Sequence, residues 1–287
     1  MANSTSLSAV IAPVISLIPS ADLRDALLGA FSEEQAAVGN IEEFFRVLPS
    51  SRWSGDFLRT FVCSWKATHL KMLAIYGLSC RLQRAAGDAE ELDRSNLFLA
   101  AAQNASTSYE DLGLDFDAQT HAELYGDFAE ALTGSDLWQL RQYRLQEAHQ
   151  FSQWVYRKMV IEAIPDGLLT NMFSEIYNHG EYSIALPATG AYFEQHTRLT
   201  GSEIRKATTY IAVHVEGEVE SAHFLSVVES LERYLAATRT SFDPERASSV
   251  FRTYLRNLAP VMQKLTGMMR LELAGRVGKF ALAMGGE

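Results

Sequence analysis

His214 and Glu218 stand four residues apart in the segment Tyr210-Ile-Ala-Val-His-Val-Glu-Gly-Glu218. On a helix that spacing puts both side chains on one face, about one turn apart. An imidazole and a carboxylate so placed can share one cation or serve catalysis; they can equally form a plain polar pair on a solvated face. The apolar residues around them, Tyr210, Ile211 and Val213 before and Phe224, Leu225, Val227 and Val228 after, favour a central helix. Charge buried there is costly unless it is paired or metal-bound. A second constellation is Glu110-Asp111-Leu112-Gly113, followed ten residues after Asp111 by His121 and then by Leu124-Tyr125. Gly113 lets the backbone turn ahead of a new helix, which places an acidic pair before His121. The same residues also read as a capped helix start, where the dipole favours acids. Glu175, in Asn171-Met-Phe-Ser-Glu-Ile-Tyr-Asn-His179, is a third candidate; its spacing alone fits a surface glutamate as well.

The elements that must position these residues are helices. Between Pro49 and Pro165 the chain has no proline and is rich in Ala, Leu, Glu, Gln and Arg, the residues of highest helix propensity. No two-residue hairpin signal separates alternating β-branched runs, so the expected sheet content is near zero. Period and capping residues place helices from Ser20 or Asp22 through Phe31, from Ser54 or Asp56 to about Ala86, and from Glu90 to Asn104. After a break at Ser106–Asp117 they resume at Ala118–Leu132 and from Ser135 to about Ile164. Further helices run from Asp166 to Tyr182, from Pro187 to about His196 and from Ser202 to about Ala237. A last helical region follows Asp243-Pro244, with a break or kink at Pro260. The expectation is one all-α domain spanning 1–287, with Phe251, Leu255, Leu258, Val261, Leu265 and Met268 docking the region 243–284 onto the rest.

Composition narrows the function classes. The 287 residues are 47% apolar, 10% aromatic and 21% charged, enough to bury a substantial core. Thirty-five acidic against 25 basic residues give a formal charge of −10, which repels phosphate backbones and anionic lipid and argues against nucleic-acid or membrane partners. Cys63 and Cys80 are the whole cysteine complement, too few for a disulfide scaffold, and fit a reducing, cytoplasmic setting. The apolar stretch Leu7–Ile18 has no Lys or Arg before it, contains Pro13 and is too short to span a bilayer. It reads as a core segment or a flexible lead-in. A homodimer is one assembly the sequence allows.

Taken together, acid-Leu-Gly, then His-x-x-Leu-Tyr, then a helix bearing Glu, then His-Val-x-x-acid resemble the haem-oxygenase-like di-metal oxidases. That superfamily shares its helical bundle with thiaminase-II-like proteins and pyrroloquinoline quinone synthase. The resemblance covers roughly residues 55–235, and it makes the C-terminal region an addition to the common core. It implies that Asp111, His121, Glu175, His214 and Glu218 hold non-haem iron. Three residues after Glu218, where the family has its second histidine, this chain has Ser221. His223 lies nine residues from His214 and faces away on an undistorted helix. The inventory therefore supports one well-ligated iron better than two.

What the resemblance implies first is an iron-dependent oxidase or oxygenase of specialised metabolism, acting with O2 on a small amino-acid-like, amine or fatty-acid substrate. Tyr177, Tyr182 and Tyr210 would line the pocket, and Arg205, with Lys206, would meet a substrate carboxylate unless both simply start a solvated helix. A second expectation is a metal-independent enzyme of the same fold, with His121, Glu175 and His214 as acid–base groups on a bound heterocycle. A third is a helical binding protein without catalysis.

Overall fold

Ser20 begins α2 (Ala21–Glu33) by accepting a hydrogen bond from the Leu23 amide at 3.3 Å, the cap its sequence position calls for. The structure is a computed structural model that describes residues 6–69, 71–108, 119–215 and 219–284. Among these residues every regular element is helical and no strand occurs. The Leu7–Ile18 stretch supplies α1 (Leu7–Ile15), which buries Leu7, Ile11, Val14 and Ile15. It lies against α9 (Ile164–His196) at Gly180, where a Cβ would come within 2.9 Å of Ile11. Only glycine allows the two backbones so close. α3 (Gln35–Val47), absent from the sequence expectation, packs Ile41, Phe44 and Phe45 inward.

The helix expected over 54–86 is two helices, α4 (Gly55–His69) and α5 (Met72–Gly87), with Lys71 at the start of the second. α6 (Glu91–Ser106) follows. α7 (His121–Thr133) opens on a capping box in which Thr120 and Glu123 satisfy each other's amides. Gly134, at φ +73°, ends it in the left-handed conformation that glycine adopts without strain. The single helix expected over 135–164 becomes 3-10 turns, α8 (Gln146–Tyr156) and a π-helical turn at Arg157–Ile161. Arg81 from α5 donates to the Met159 carbonyl at 2.8 Å and to that of Glu162, satisfying backbone groups the turn exposes.

Two prolines expected to interrupt helices do not. Pro187 lies inside α9 and Pro260 inside α13 (Pro244–Met284), and both are exposed. On a solvent face, water takes up the carbonyl that proline releases, and burial of the opposite face holds the helix together. α13 buries Phe251, Leu255, Leu258, Val261 and Leu265, with Met268 partly covered, against α2, α3 and α9, as its sequence pattern requires.

α9 is the central element. Every residue from Gly167 to Asn178 is buried, and α1, α3, α5, α12 (Val219–Thr238) and α13 surround it. A helix without a wet face carries its polar residues into the interior, so each needs a partner. Asn171 donates to Asn104 Oδ1 at 3.1 Å, and Asn104 donates to the Ile75 carbonyl at 3.1 Å and to Ser79 Oγ at 2.8 Å. This chain ties α9, α6 and α5 into one register beside the site.

The long helix expected from Ser202 to Ala237 is broken. α10 (Gly201–Ala207), α11 (Thr209–Ala212) and α12 replace it, and His214 sits in the turn after α11. Thr208 and Thr209 turn their hydroxyls back onto the carbonyls of Ile204 and Arg205 at 2.9 and 3.1 Å, which bends a helix. Of the following amides, those of Ala212 and Val213 still reach four residues back, whereas Ile211, His214 and Val215 reach only three, to Thr208, Ile211 and Ala212. The winding tightens and then stops.

Candidate functional site

An aromatic hub forms the floor. Trp65, fully buried on α4, has the rings of Phe61, His69, Tyr125, Phe128, Tyr182 and Tyr210 around it, with centroids 5.0–6.3 Å away. Tyr182 from α9 and Tyr210 from α11 join hydroxyl to hydroxyl at 2.8 Å. His214 lies flat on Tyr182, 4.2 Å between centroids and 6° between planes, and meets His121 edge to face at 4.7 Å. The start of α7 and the turn after α11 are thereby closed onto each other by their histidines.

Two narrow adjoining clefts open over this floor, with about 50 and 40 Å3 of space that water can enter, and they share His69, Lys71, His121 and Tyr210. The first adds Lys66, Met72, Ala122 and Tyr125. The second adds Ile75, Thr107, Glu175, Asn178, Tyr182, His214 and His223. Glu175, Asn178 and Tyr182 reach it together because spacings of three and four residues keep them on one side of α9. His121, Glu175, His214, Tyr182 and Tyr210, widely separated in sequence, thus line one space.

The other expected residues lie elsewhere. Tyr177 is buried on α9 against Tyr254, 5.7 Å between ring centroids, and does not line the clefts. Arg205 is exposed on α10, as is Lys206, and neither lines them. Asp111 and Glu218 fall outside the described residues. His214 lies in the turn after α11 rather than inside a helix, and its expected pairing with Glu218 falls outside the described residues. His223, on α12, lines the cleft, where its Nδ1 is 3.9 Å from Glu175 Oε2.

The iron expectation is corrected at this point. Among the described residues no group of three or more His, Cys, Asp or Glu side chains is placed to hold a metal ion. His121 and His214 meet as packed rings, with the face of His214 covered by Tyr182, and Glu175 faces His223. The described members of the donor set, His121, Glu175 and His214, do not fit the one or two non-haem irons, and the iron-dependent oxidase or oxygenase with its metal-bound O2 rested on that set.

What sequence reading missed is a second buried pair. His69 Nε2 lies 2.8 Å from Glu181 Oε2, with side chains only 5% and 1% exposed, an ion-pair approach somewhat off the line of an aligned hydrogen bond. His69 Nδ1 faces the Trp65 carbonyl at 2.9 Å. The available signal was in α9 itself: Asn171, Ser174, Glu175, Asn178 and Glu181 are too many polar residues for a helix with an apolar surround unless they face a site.

Burial sorts the groups that can exchange protons from those that cannot. It pushes the Tyr125 hydroxyl well above the usual phenol range, with Tyr210 adding to the effect. It does the same to Tyr177, seconded by the Glu181 carboxylate. These phenols remain neutral donors.

No protein-family model and no curated protein matches the chain. Among the described residues no helix is long and apolar enough to cross a membrane. A solved structure does match: a TenA homologue from Pseudomonas syringae pv. tomato str. DC3000, at 12% identity and a TM-score of 0.61, covering 88% of this chain and 94% of that one. At that identity the likeness is one of fold, and the all-α bundle described here is similar to the TenA-like form of the haem-oxygenase-like fold.

Proposed function

We propose that this protein is a metal-independent enzyme in which His121, Glu175 and His214 move protons on a small heterocycle bound between the tyrosines. The observation that carries this reading is the convergence of these three residues, from α7, α9 and the turn after α11, on one cleft beside the second imidazole–carboxylate pair, His69–Glu181. Buried polar groups are costly, and two such sets around one cavity suit acid–base work better than packing. Tyr125 and Tyr210 line the first cleft with aromatic surface, which suits a planar ring carrying polar substituents. The likeness to a TenA homologue is consistent with such a substrate, because the same bundle houses thiaminase-II-like chemistry.

The experiment is a turnover screen of amino-substituted pyrimidines and thiazoles with protein held in excess chelator. The expected outcome is conversion of at least one compound at a rate unchanged by the chelator. Conversion that vanishes on chelation and returns with a metal would overturn the reading.

A further inference from the structure

Lys71 is a buried lysine that forms no ion pair among the described residues. Its side chain lies at the start of α5, the residue only 5% exposed, and its Nζ donates to Asn178 Oδ1 at 3.3 Å and to the Tyr254 hydroxyl at 3.2 Å. Both partners are neutral and both bonds are long, and an ammonium has a third donor to place. Among the described residues no carboxylate lies within ion-pair distance of it; the two buried acids of the site, Glu181 and Glu175, face His69 and His223. Lys66, one turn before the end of α4, repeats the pattern. It stands 4.7 Å over the Trp138 ring and 5.8 Å over that of Tyr125, and the described residues give it no carboxylate partner.

The surroundings make this unusual. The chain carries 35 acidic residues and a formal charge of −10, yet the cleft lined by Lys66, Lys71, His69 and His121 has no Asp or Glu on its described walls. An ammonium enclosed by neutral groups is unfavourable unless an anion joins it. In an acidic protein, a cleft whose described walls carry two lysines and no acid, with Glu175 confined to the adjoining cleft, is a place where a negatively charged ligand is favoured locally and repelled elsewhere.

We propose that Lys71, assisted by Lys66, binds an anionic group, a carboxylate or a phosphate, borne by a flat-ring substrate that rests against Tyr125 and Tyr210. This assignment rests on the acid–base reading of the same site and names its substrate class. The anion takes the free N–H of Lys71 in a charge-assisted bond, and the ring then lies beside His121. The role that the sequence suggested for Arg205 falls instead to a lysine inside the site.

Calorimetric titration of the full chain tests this without turnover. Nicotinate and nicotinamide present the same ring with and without the negative charge; phenyl phosphate and benzyl alcohol do so for phosphate. The expected result is that the anion of at least one pair binds about tenfold or more tightly than its neutral counterpart, the pair showing the gap telling carboxylate from phosphate. Lys71→Met should close the gap, Lys71→Arg should keep most of it, and Lys66→Met should narrow it. Should Lys71→Met fail to fold by circular dichroism, the wild-type gap and the response of the half-buried Lys66 decide. The absence of a gap in both pairs, including an absence of binding, overturns the proposal, as does a gap that survives Lys71→Met. A missing gap alongside chelator-resistant turnover overturns only the anion site; a gap without turnover of any heterocycle leaves the anion site standing and counts against the acid–base reading.

Discussion

His214→Gln should lower kcat/KM by about a hundred- to ten-thousand-fold, the usual worth of a positioned acid–base group, while far-ultraviolet circular dichroism stays that of the native protein. The size follows from where the ring sits. His214 is 7% exposed, faces the cleft beside His121 and Glu175, and is oriented by the Tyr182 stack on one side and the His121 edge on the other. Glutamine keeps polarity and approximate bulk but cannot gain and lose a proton near neutrality. The structural loss is the contact of the ring with Tyr182, His121 and Tyr210, about 1 kcal/mol for each aromatic pair. His121→Gln should fall in the same range, whereas Tyr182→Phe, which keeps the stack and removes one hydroxyl, should cost much less. Steady-state kinetics on a substrate from the heterocycle screen reads all three; a His214→Gln enzyme with wild-type kcat/KM would remove His214 from the mechanism.

His69→Leu should destabilise the fold by about 3–5 kcal/mol, because it leaves the Glu181 carboxylate buried beside a hydrocarbon. The pair is almost solvent-free, and Glu181 lies in the central helix, where no shift short of unwinding brings it to water. The diagnostic is the double variant His69→Leu/Glu181→Leu. Replacing both partners by apolar groups of similar volume removes the stranded charge, so most of the stability should return. Urea unfolding followed by tryptophan fluorescence measures this well, since Trp65 lies 5.0 Å from the His69 ring. A single variant as stable as wild type, or a double variant worse than the single, would show that the pair carries no buried charge.

Much of the fold can be read from capping chemistry, because a cap is local. Ser20, Thr120 and Asp243 each sit next to the helix they start, and the apolar stripe of α13 finds its partners as expected. Proline is a poorer guide. Its cost depends on whether the freed carbonyl meets water, and Pro187 and Pro260 are on exposed faces that only the tertiary fold defines. The site divides in the same way. His121, Glu175, His214, Tyr182 and Tyr210 could be singled out by residue type and company. His69 and Glu181 could not be paired, since their meeting depends on how α4 crosses α9, more than a hundred residues further along the chain. Helical periodicity failed where it was extended past its warrant. The arguments that put Glu218 on the His214 face, and His223 on the opposite one, both presume an unbroken helix, whereas Thr208 and Thr209 bend it and His214 lies in a turn.

The claim that this site works through proton transfer by its own side chains is tested most directly by anaerobic reconstitution with Fe(II), followed by desalting and iron analysis of the full chain. The expected result is no stoichiometric iron, with the His214→Gln and wild-type proteins indistinguishable. Retention of one or two irons per chain by the wild type, lost in His214→Gln, would contradict it.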